Sequence, residues 1–365
     1  MKQNIFSRHT KILALAFYLI LISSCNLLPD SLVDAISGAS KQMALDGNSL
    51  FHQTELVSLQ EGELQVAGEV EKPGKVDLDN HYKREVFIKE SLFDEASGVN
   101  FIGAYRYQGY SLFDLLHPFN QAKKNSDVFR PAIDLYVIIE NDQGDAVVFS
   151  WSEIFHTNNP HQILIATDAA PIVPYRQEVE YEMGEKWRVV AANDLFAYRV
   201  LENPVKITVR SFDKKEYPID RDFSPMYSPD VEVIKNDQNI LTIEPIEDPL
   251  NYTRYYSSFY GMGMGYHEAK YFQGPILQNL LRGAIDIFSP EWNRRGLICF
   301  ASVDGYRAIY SYSELFNRTD QVFPILAVPD DPMDGGFYRI FHPMEFYADR
   351  SVKSVKEMYF FTEAP

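Results

Sequence analysis

The chain has 365 residues, of which 46% are hydrophobic and 14% aromatic, and its formal net charge at pH 7 is −17. A chain of this length and composition can bury enough apolar surface for two well-filled cores. The strong negative charge excludes nucleic-acid binding through bulk electrostatics and disfavours adsorption to anionic lipid.

The first 24 residues have the organisation of an export signal. A basic start is followed by an apolar core at residues 12–22 that is too short for a comfortable membrane span. Small residues then precede Cys25, and this pattern resembles the bacterial lipoprotein box, whose Cys is acylated after cleavage. The resemblance implies a multiply acylated Cys25 that anchors the chain in a lipid bilayer. An ordinary signal peptide or short membrane anchor is the alternative.

The residue after Cys25 bears on location. Asn26 is not the acidic residue that retains many bacterial lipoproteins at the inner membrane. We therefore expect a lipid-anchored protein of the outer membrane that faces the periplasm.

The elements of the first repeat are short. A tether with one short helix leads to a strand at residues 64–70, and Ser111 is expected to cap a helix that carries Leu112, Leu115 and Leu116 on one face. A hairpin is predicted next, followed by a helix that starts near Ser152 and by three further strands. These hairpin and strand segments are residues 136–140 with 146–150, then 163–166, 187–191 and 205–209.

A second repeat follows a proline-containing linker. Tyr107-Gln108-Gly109 recurs as Phe272-Gln273-Gly274, and residues 144–155 (GDAVVFSWSEIF) recur as residues 305–316 (GYRAIYSYSELF). Self-similarity at so long an interval indicates two repeated domains. The first strand of the second repeat is expected at residues 240–243. The remaining elements are expected at residues 277–281, 297–303, 307–310, 325–328, 338–341 and 355–361.

Short strands with occasional helices predict a mixed α+β fold rather than a doubly wound parallel sheet. The predicted organisation is a signal peptide at residues 1–24, a tether at 25–60, a first domain at 61–212, a linker at 213–237 and a second domain at 238–365.

Four motifs occur in the same order in both repeats. They are a strand that ends in a Pro turn, an aromatic-x-Gly step into a Leu-rich helix, a Gly-x-x-x-Arg segment, and a final Val-Lys strand. The two copies are Val70–Pro73, Tyr107–Gly109, Gly184–Arg188 and Val205-Lys206, then Ile246–Pro249, Phe272–Gly274, Gly335–Arg339 and Val355-Lys356. In this order they resemble the oxidoreductase molybdopterin-binding domain of sulfite oxidase and its bacterial relatives. The resemblance implies two tandem domains of that fold.

The resemblance also implies where a metal would be held. Enzymes of the family bind molybdenum through a Cys thiolate and the dithiolene of a pterin, and the Cys precedes the aromatic-x-Gly step. Neither residues 91–106 nor residues 255–270 contain a Cys, and Cys299 lies beyond the helix. We therefore expect no molybdenum chemistry. A molybdopterin-dependent oxidoreductase with an atypical ligand set, for instance with Ser97, is the alternative.

Arg188 and Arg339 are candidates for binding an anion or the pterin phosphate, because each guanidinium follows a Gly-bearing turn. The alternative is an ion pair with an acid of the chain. Glu153 and Glu314 occupy matched positions and could form a catalytic carboxylate pair, but a helix-start position explains them better.

Residues 255–267 combine aromatic residues with alternating glycines, which allow close approach of a ligand to the backbone. A ring-binding mouth would use Tyr260, Gly261, Gly263 and Tyr266. A soft-metal site for Cu(I) would use Met262, Met264 and His267, and a packed flexible loop is the third interpretation. The sequence thus favours a lipoprotein that binds a small molecule or a protein partner rather than an enzyme.

Overall fold

The computed structural model describes residues 51–52, 54–174, 178–246, 249–268, 271–330 and 336–363. The predicted signal peptide, Cys25 and nearly all of the tether lie outside these residues. Residues 55–171 and 180–365 form one compact unit. In the other unit, β1 (Phe51–His52) pairs antiparallel with β10 (Val173–Pro174). Within the described residues, no helix has both the length and the apolar character needed to cross a membrane.

The larger unit consists mainly of strands and has two halves. The first half comprises residues 55–171 and 180–212, and the second half comprises residues 213–363. The strands of the first half are β2 (Val57–Ser58), β3 (Gln65–Gly68), β4 (Gly74–Lys75), β5 (Arg84–Asp94), β6 (Gly98–Ser111), β7 (Leu135–Asn141), β8 (Ala146–Ser150), β9 (Ile163–Pro171), β11 (Arg188–Ala191), β12 (Leu201–Glu202) and β13 (Pro204–Ser211).

The strands of the second half are β14 (Val231–Lys235), β15 (Gln238–Ile243), β16 (Thr253–Tyr255), β17 (Phe259–Gly261), β18 (Gly265–His267), β19 (Phe272–Gly274), β20 (Gly296–Ser302), β21 (Arg307–Ser311), β22 (Ile325–Ala327), β23 (Arg339–Phe341) and β24 (Val355–Thr362). The α-helices are short, as predicted, and the mixed α+β class is confirmed. These helices are α1 (Leu112–Leu116), α2 (Trp151–Phe155), α3 (Leu277–Leu280), α4 (Pro290–Arg295) and α5 (Tyr312–Phe316).

Each half contains a five-stranded sheet, and the two sheets have the same order. The order is β4-β3-β13-β7-β8 in the first half and β15-β14-β24-β20-β21 in the second. Both sheets are mixed. The last strand of the first half, β13, runs parallel to β3 and antiparallel to β7, and the last strand of the second half, β24, runs parallel to β14 and antiparallel to β20. The hairpin that was predicted in each repeat forms the edge pair β7–β8 or β20–β21.

A second layer is larger in the first half than in the second. In the first half it is a sheet of order β12-β11-β9-β6-β5, with β2 also paired to β9. In the second half the pairs β16–β19 and β22–β23 follow the same chain order, and an isolated bridge between Ile276 and Ile325 lies between them. The long hairpin of β5 and β6 was not predicted from the sequence.

The start of the second half differs from the prediction. Residues 231–235, which the sequence assigned to the linker, form β14, and β14 rather than β15 pairs with the last strand β24. Val231 and Val233 are buried in the core of the second half. The predicted linker 213–237 therefore contains an interior strand of the sheet. The alternation of apolar and polar side chains there extends over too few residues to indicate a strand among the surrounding prolines and charged residues.

The two five-stranded sheets pack against each other. Along β7, Val137 and Ile139 face the core of the first half, whereas Tyr136 and Ile138 belong to a different apolar cluster. That cluster, which we call the shared core, also contains residues of β8, β14, β20, β21 and β24. Its buried members are Tyr136, Ile138, Ala146, Val148, Phe212, Ile234, Leu297, Cys299, Ile309, Tyr359 and Phe361. The strands β7, β8, β20, β21 and β24 are thus covered on both faces, which explains their nearly continuous apolar runs.

The connection before β7 also joins the halves. Phe129 and Ile133 are buried in the core of the second half. Asp134 is fully buried; one of its carboxylate oxygens lies 2.6 Å from the Lys123 ammonium and the other lies 3.1 Å from the Arg307 guanidinium. The two repeats are therefore parts of one compact unit rather than two separately packed bodies.

The repeated aromatic-x-Gly step has a steric reason in both halves. A Cβ atom at Gly109 would overlap the carbonyl oxygen of Ile165, and a Cβ atom at Gly274 would overlap the carbonyl oxygen of Leu326. In each half the glycine lets the strand before the helix approach its neighbouring strand closely.

We expect Gly109→Ala and Gly274→Ala each to lower the free energy of unfolding by roughly 1–3 kcal/mol, because the added methyl group meets backbone that cannot move aside cheaply. Chemical denaturation measures the effect. Gly74→Ala is the matched control, since no atom lies within 4 Å of a Cβ placed there. Equal effects at positions 74, 109 and 274 would contradict the steric explanation.

Candidate functional site

The halves exchange matching backbone hydrogen bonds where they meet. Leu195 N donates to Asn317 O at 2.9 Å, and Phe346 N donates to His156 O at 2.8 Å. In each bond the acceptor follows the short helix of one half, α5 or α2, and the donor follows a strand of the second layer in the other half, β11 or β23. Thr319 N to Asn193 O at 2.9 Å and Asn158 N to Met344 O at 3.2 Å form a second matched pair. The contact between the halves thus has approximate twofold symmetry.

The repeated Ser-x-x-Glu of each half forms a capping box at this contact. Ser150 Oγ accepts from Glu153 N, and Glu153 Oε1 accepts from Ser150 N at 2.7 Å. Ser311 and Glu314 repeat the arrangement at the start of α5. The structure therefore shows both glutamates in the helix-start role. The caps are Ser150 and Ser311, whereas Ser152, near which the sequence placed the helix start, lies inside α2.

A buried arginine lies beside each capping box. Arg199 is 1% exposed and donates from Nη1 to Glu153 Oε1 at 3.1 Å and from Nε to Asp194 Oδ2 at 2.8 Å. The same Nη1 reaches the other half, where it donates to Ser311 Oγ at 3.2 Å. Its guanidinium also lies over the ring of Phe149.

Arg350 makes the corresponding contacts from the second half. It donates from Nη2 to Glu314 Oε2 at 2.8 Å, from Nε to Glu345 Oε2 at 3.1 Å, and across the contact from Nη1 to Ser150 Oγ at 3.0 Å. Its guanidinium lies over the ring of Tyr310. Each arginine therefore pairs with acids of its own half and with the helix cap of the other half.

We call this cluster the central ion network. Besides the two arginines and their acids, it includes Arg318, which pairs with Asp320 and contacts His342. Its charged members are Glu153, Asp194, Arg199, Glu314, Arg318, Asp320, Glu345 and Arg350.

The network contains groups with strongly shifted pKa values. Burial raises the pKa of Glu153 to about 7 against the opposing effect of Arg199, and burial raises that of Glu345 to about 7 against the opposing effect of Arg350. Burial, assisted by the positive charge of Arg350, lowers the pKa of His156 to about 4. Burial also lowers the pKa of His342, so both histidines are neutral.

Arg199 and Arg350 were not among the candidates from the sequence, although a signal was present. Asp194 precedes Arg199 by the same number of residues as Glu345 precedes Arg350. The two acid–arginine pairs are separated by the same interval as Arg188 and Arg339. Extending the repeat past position 188 would have found them.

Arg188 lies on β11 and is buried by contacts within the protein. Its Nη2 pairs with Glu202, and its Nη1 donates to Tyr107 Oη at 3.3 Å, which in turn donates to Glu90 Oε1 at 2.7 Å. This arrangement matches the ion-pair alternative. Arg339 is partly buried on β23, with its guanidinium 5.4 Å from the ring centroid of Phe259. The two arginines lie in different sheets.

The aromatic and glycine-rich stretch forms a small hairpin of β17 and β18. Residues 255–267 contain no Asp, Glu, Lys or Arg, and several large side chains of this stretch are exposed. The exposed large side chains are Tyr256, Tyr260, Met262, Met264 and Tyr266. At the turn, Met262 N donates to Asp349 Oδ2 at 2.8 Å, and Gly265 has a φ of +73°. Tyr260, Gly261, Gly263, Met262, Met264 and His267 are thus brought onto one exposed hairpin.

A narrow cleft lies between this hairpin and residues 341–351, and we call it the aromatic cleft. Its aromatic lining is Phe259, Tyr260, Tyr310, Phe341, Phe346 and Tyr347. His342 and Glu345 also line it; Glu345 is a member of the central ion network, and His342 contacts Arg318 of that network. The space has a volume of about 10 Å³, enough for one small polar group such as a water or a hydroxyl.

The proton of His342 can be assigned from its contacts. Its Nε2 lies 3.1 Å from Arg318 Nη1, which can only donate, and 3.3 Å from the Glu314 carbonyl oxygen, which can only accept. The shorter contact favours the tautomer in which Nε2 accepts and Nδ1 carries the hydrogen. Nδ1 is buried without a hydrogen-bond partner, and the nearest carboxylate oxygen, Glu345 Oε1, is 3.6 Å away. A donor and a carboxyl group therefore lie side by side among the residues that line the cleft.

The residues present do not fit the molybdenum site of the resembling family. Cys299 lies on β20 in the shared core, fully buried, and burial raises the pKa of its thiol well above the usual range. A thiolate ligand is strongly disfavoured there. Among the residues that the structure describes, no three His, Cys, Asp or Glu side chains are grouped so that they could hold a metal ion.

Comparison with known proteins leaves the function to be argued from these residues. No protein-family model matches the chain, and no curated protein sequence matches it significantly.

Proposed function

We propose that this chain is a binding protein of the bacterial cell envelope, attached to the outer membrane through acylated Cys25 and built from two sulfite-oxidase-like halves that lack the redox centre. The proposed binding role rests on one observation, the uncharged hairpin of residues 259–267 beside the aromatic cleft. In a chain of which 23% of residues are charged, an exposed surface of Tyr and Met without a single charge is unusual. Side chains of these types are enriched where proteins bind ligands and partners.

The lining of the cleft favours a small, uncharged ring compound. Tyr260 and Phe346 are partly exposed at its mouth and offer ring faces for stacking. Nδ1–H of His342 and the carboxyl group of Glu345 offer a donor and an acceptor to a single polar group on the ring. An anionic ligand is disfavoured by the net charge of −17. A hydroxyl group, which donates and accepts and fills about the volume of a water, suits this space.

Binding of phenol and benzoate, followed by ligand-observed NMR, tests the proposal. We expect phenol to bind to the wild-type chain more tightly than benzoate, and we expect Tyr260→Ala to weaken phenol binding at least severalfold, because a stacking face is worth about 1 kcal/mol. Tyr82→Ala is the matched control, since Tyr82 is exposed outside the hairpin. Absence of phenol binding, or equal losses in the two variants, would refute the cleft as the binding site.

A further inference from the structure

The central ion network holds more acids than bases. Its carboxylates are Glu153, Asp194, Glu314, Asp320 and Glu345, and its guanidinium groups are Arg199, Arg318 and Arg350. Five carboxylates against three guanidinium groups leave two uncompensated negative charges if every group is ionised. Only Asp320, with a side chain that is 34% exposed, has substantial access to solvent. An excess of buried charge is unfavourable, and the usual relief is the uptake of protons.

The histidines near the network do not supply the missing positive charge. His156 lies beside α2 with Nδ1 at 2.9 Å from Ser152 Oγ, and His342 accepts from Arg318. Each is held away from its protonated form by burial and by a neighbouring guanidinium. The compensating protons must therefore reside on carboxyl groups.

Geometry points to two of these carboxyl groups. Glu314 is held by Nη1 and Nη2 of Arg350 and by the backbone N–H of Ser311. Glu153 receives a single guanidinium nitrogen, Nη1 of Arg199, and Glu345 shares Nη2 of Arg350 with Glu314. The negative charge of Glu314 also disfavours ionisation of both Glu153 and Glu345. The two glutamates belong to different halves, so a change in their charge acts on the contact between the halves.

We propose that the central ion network is a proton-dependent contact: Glu153 and Glu345 each hold a proton when the two halves are closed on each other, and ionisation of these carboxyl groups weakens the contact. The protonated network has no excess charge. The ionised network has two buried negative charges placed where Arg199 and Arg350 cross between the halves. A rise in pH through neutrality therefore loosens the structure at a defined place.

The sign of the pH dependence follows from the direction of the shifts. The pKa of each glutamate is raised in the folded chain, so the folded state binds more protons than the unfolded state, and the stabilisation is lost as the pH rises towards the folded value. The lowered pKa of the two histidines has the opposite effect up to about pH 7.5, because unfolded histidine, with a pKa of about 6.5, is still half protonated at about pH 6.5. The contribution of the glutamates is therefore isolated by comparing the wild-type chain with variants that keep both histidines.

The test is the pH dependence of the equilibrium between the folded and unfolded chain. Between about pH 6.5 and about pH 8 we expect the folding equilibrium constant of the wild-type chain, divided by that of the Glu153→Gln, Glu345→Gln double variant, to fall on the order of tenfold. The constant of each single variant, divided by that of the double variant in the same way, should show roughly half of this fall on a logarithmic scale. Glu95→Gln, at an exposed turn, is the matched control and should keep the wild-type dependence. An unchanged dependence in the double variant would overturn the proposal.

Two measurements on the wild-type chain keep the test decisive if a variant fails to fold. The infrared band of a protonated carboxylic acid should be present near pH 6 and should fade by about pH 8. Over the same range, hydrogen exchange at the crossing amides of Leu195 and Phe346, corrected for intrinsic rates, should lose more protection than exchange at Ile139 in β7. A constant infrared band, or equal loss of protection at all three amides, would overturn the proposal.

Discussion

Replacing Arg350 with Met is expected to lower the free energy of unfolding by about 3–5 kcal/mol. The guanidinium is 2% exposed and holds Glu314, Glu345 and the helix cap Ser150. The methionine side chain fills a similar volume but leaves these carboxyl groups buried without a positive partner. Removing one partner of a buried ion pair destabilises a protein by much more than the intact pair stabilised it, because the remaining charge is buried and uncompensated. Chemical denaturation at neutral pH measures the loss.

Two further variants show whether the loss comes from the symmetric contact. Arg199→Met should cost about as much as Arg350→Met, since Arg199 makes the corresponding contacts from the first half. Arg295→Met is the control, because Arg295 forms only an exposed pair with Glu291 at 3.5 Å, which is worth less than about 1 kcal/mol. If Arg350→Met cost no more than Arg295→Met, the central ion network would not hold the halves together.

Residues 55–212 produced alone are expected not to reach a cooperatively folded, monomeric state. The cut would expose the face of β7 and β8 that carries Tyr136, Ile138 and Val148, together with Phe129 and Ile133. An apolar surface of this extent drives association in water. Size-exclusion chromatography and thermal unfolding of the fragment test this.

A complementary variant probes the same interface in the intact chain. Leu297→Ala removes a fully buried side chain of the shared core and should cost about 2–5 kcal/mol. Val128, which is 61% exposed, provides a matched control as Val128→Ala, with an expected change below about 0.5 kcal/mol. A monomeric first half that unfolds cooperatively, together with a small effect of Leu297→Ala, would show that the repeats are independent domains.

Local sequence signals predicted local structure well. Ser111 caps α1, with its side chain accepting from Asp114 N, because Ser at this position satisfies a free N–H group. The hairpin strands also begin and end close to their predicted positions, since turn residues Asn141 to Gly144 and Asp304-Gly305 fix them. Capping and turn chemistry act over a few residues and can therefore be read from the sequence alone.

Features that depend on distant partners were missed. The face of β20 that carries Cys299 is buried only because β7 and β8 of the first half cover it. Likewise, Arg199 and Arg350 could be recognised as buried only once two helix caps from different halves were placed around them. A single sequence does not state which surfaces meet, so the central ion network and the aromatic cleft emerged only from the packed chain.

The metal and pterin content of the protein isolated from its native host decides between binding and redox chemistry. We predict that molybdenum and molybdopterin are both absent at stoichiometric levels, because the stretches that should supply a thiolate contain no Cys, and Cys299 is buried in the shared core. One molybdenum per chain, retained through purification together with a pterin, would contradict this and would make the chain an oxidoreductase with an atypical ligand.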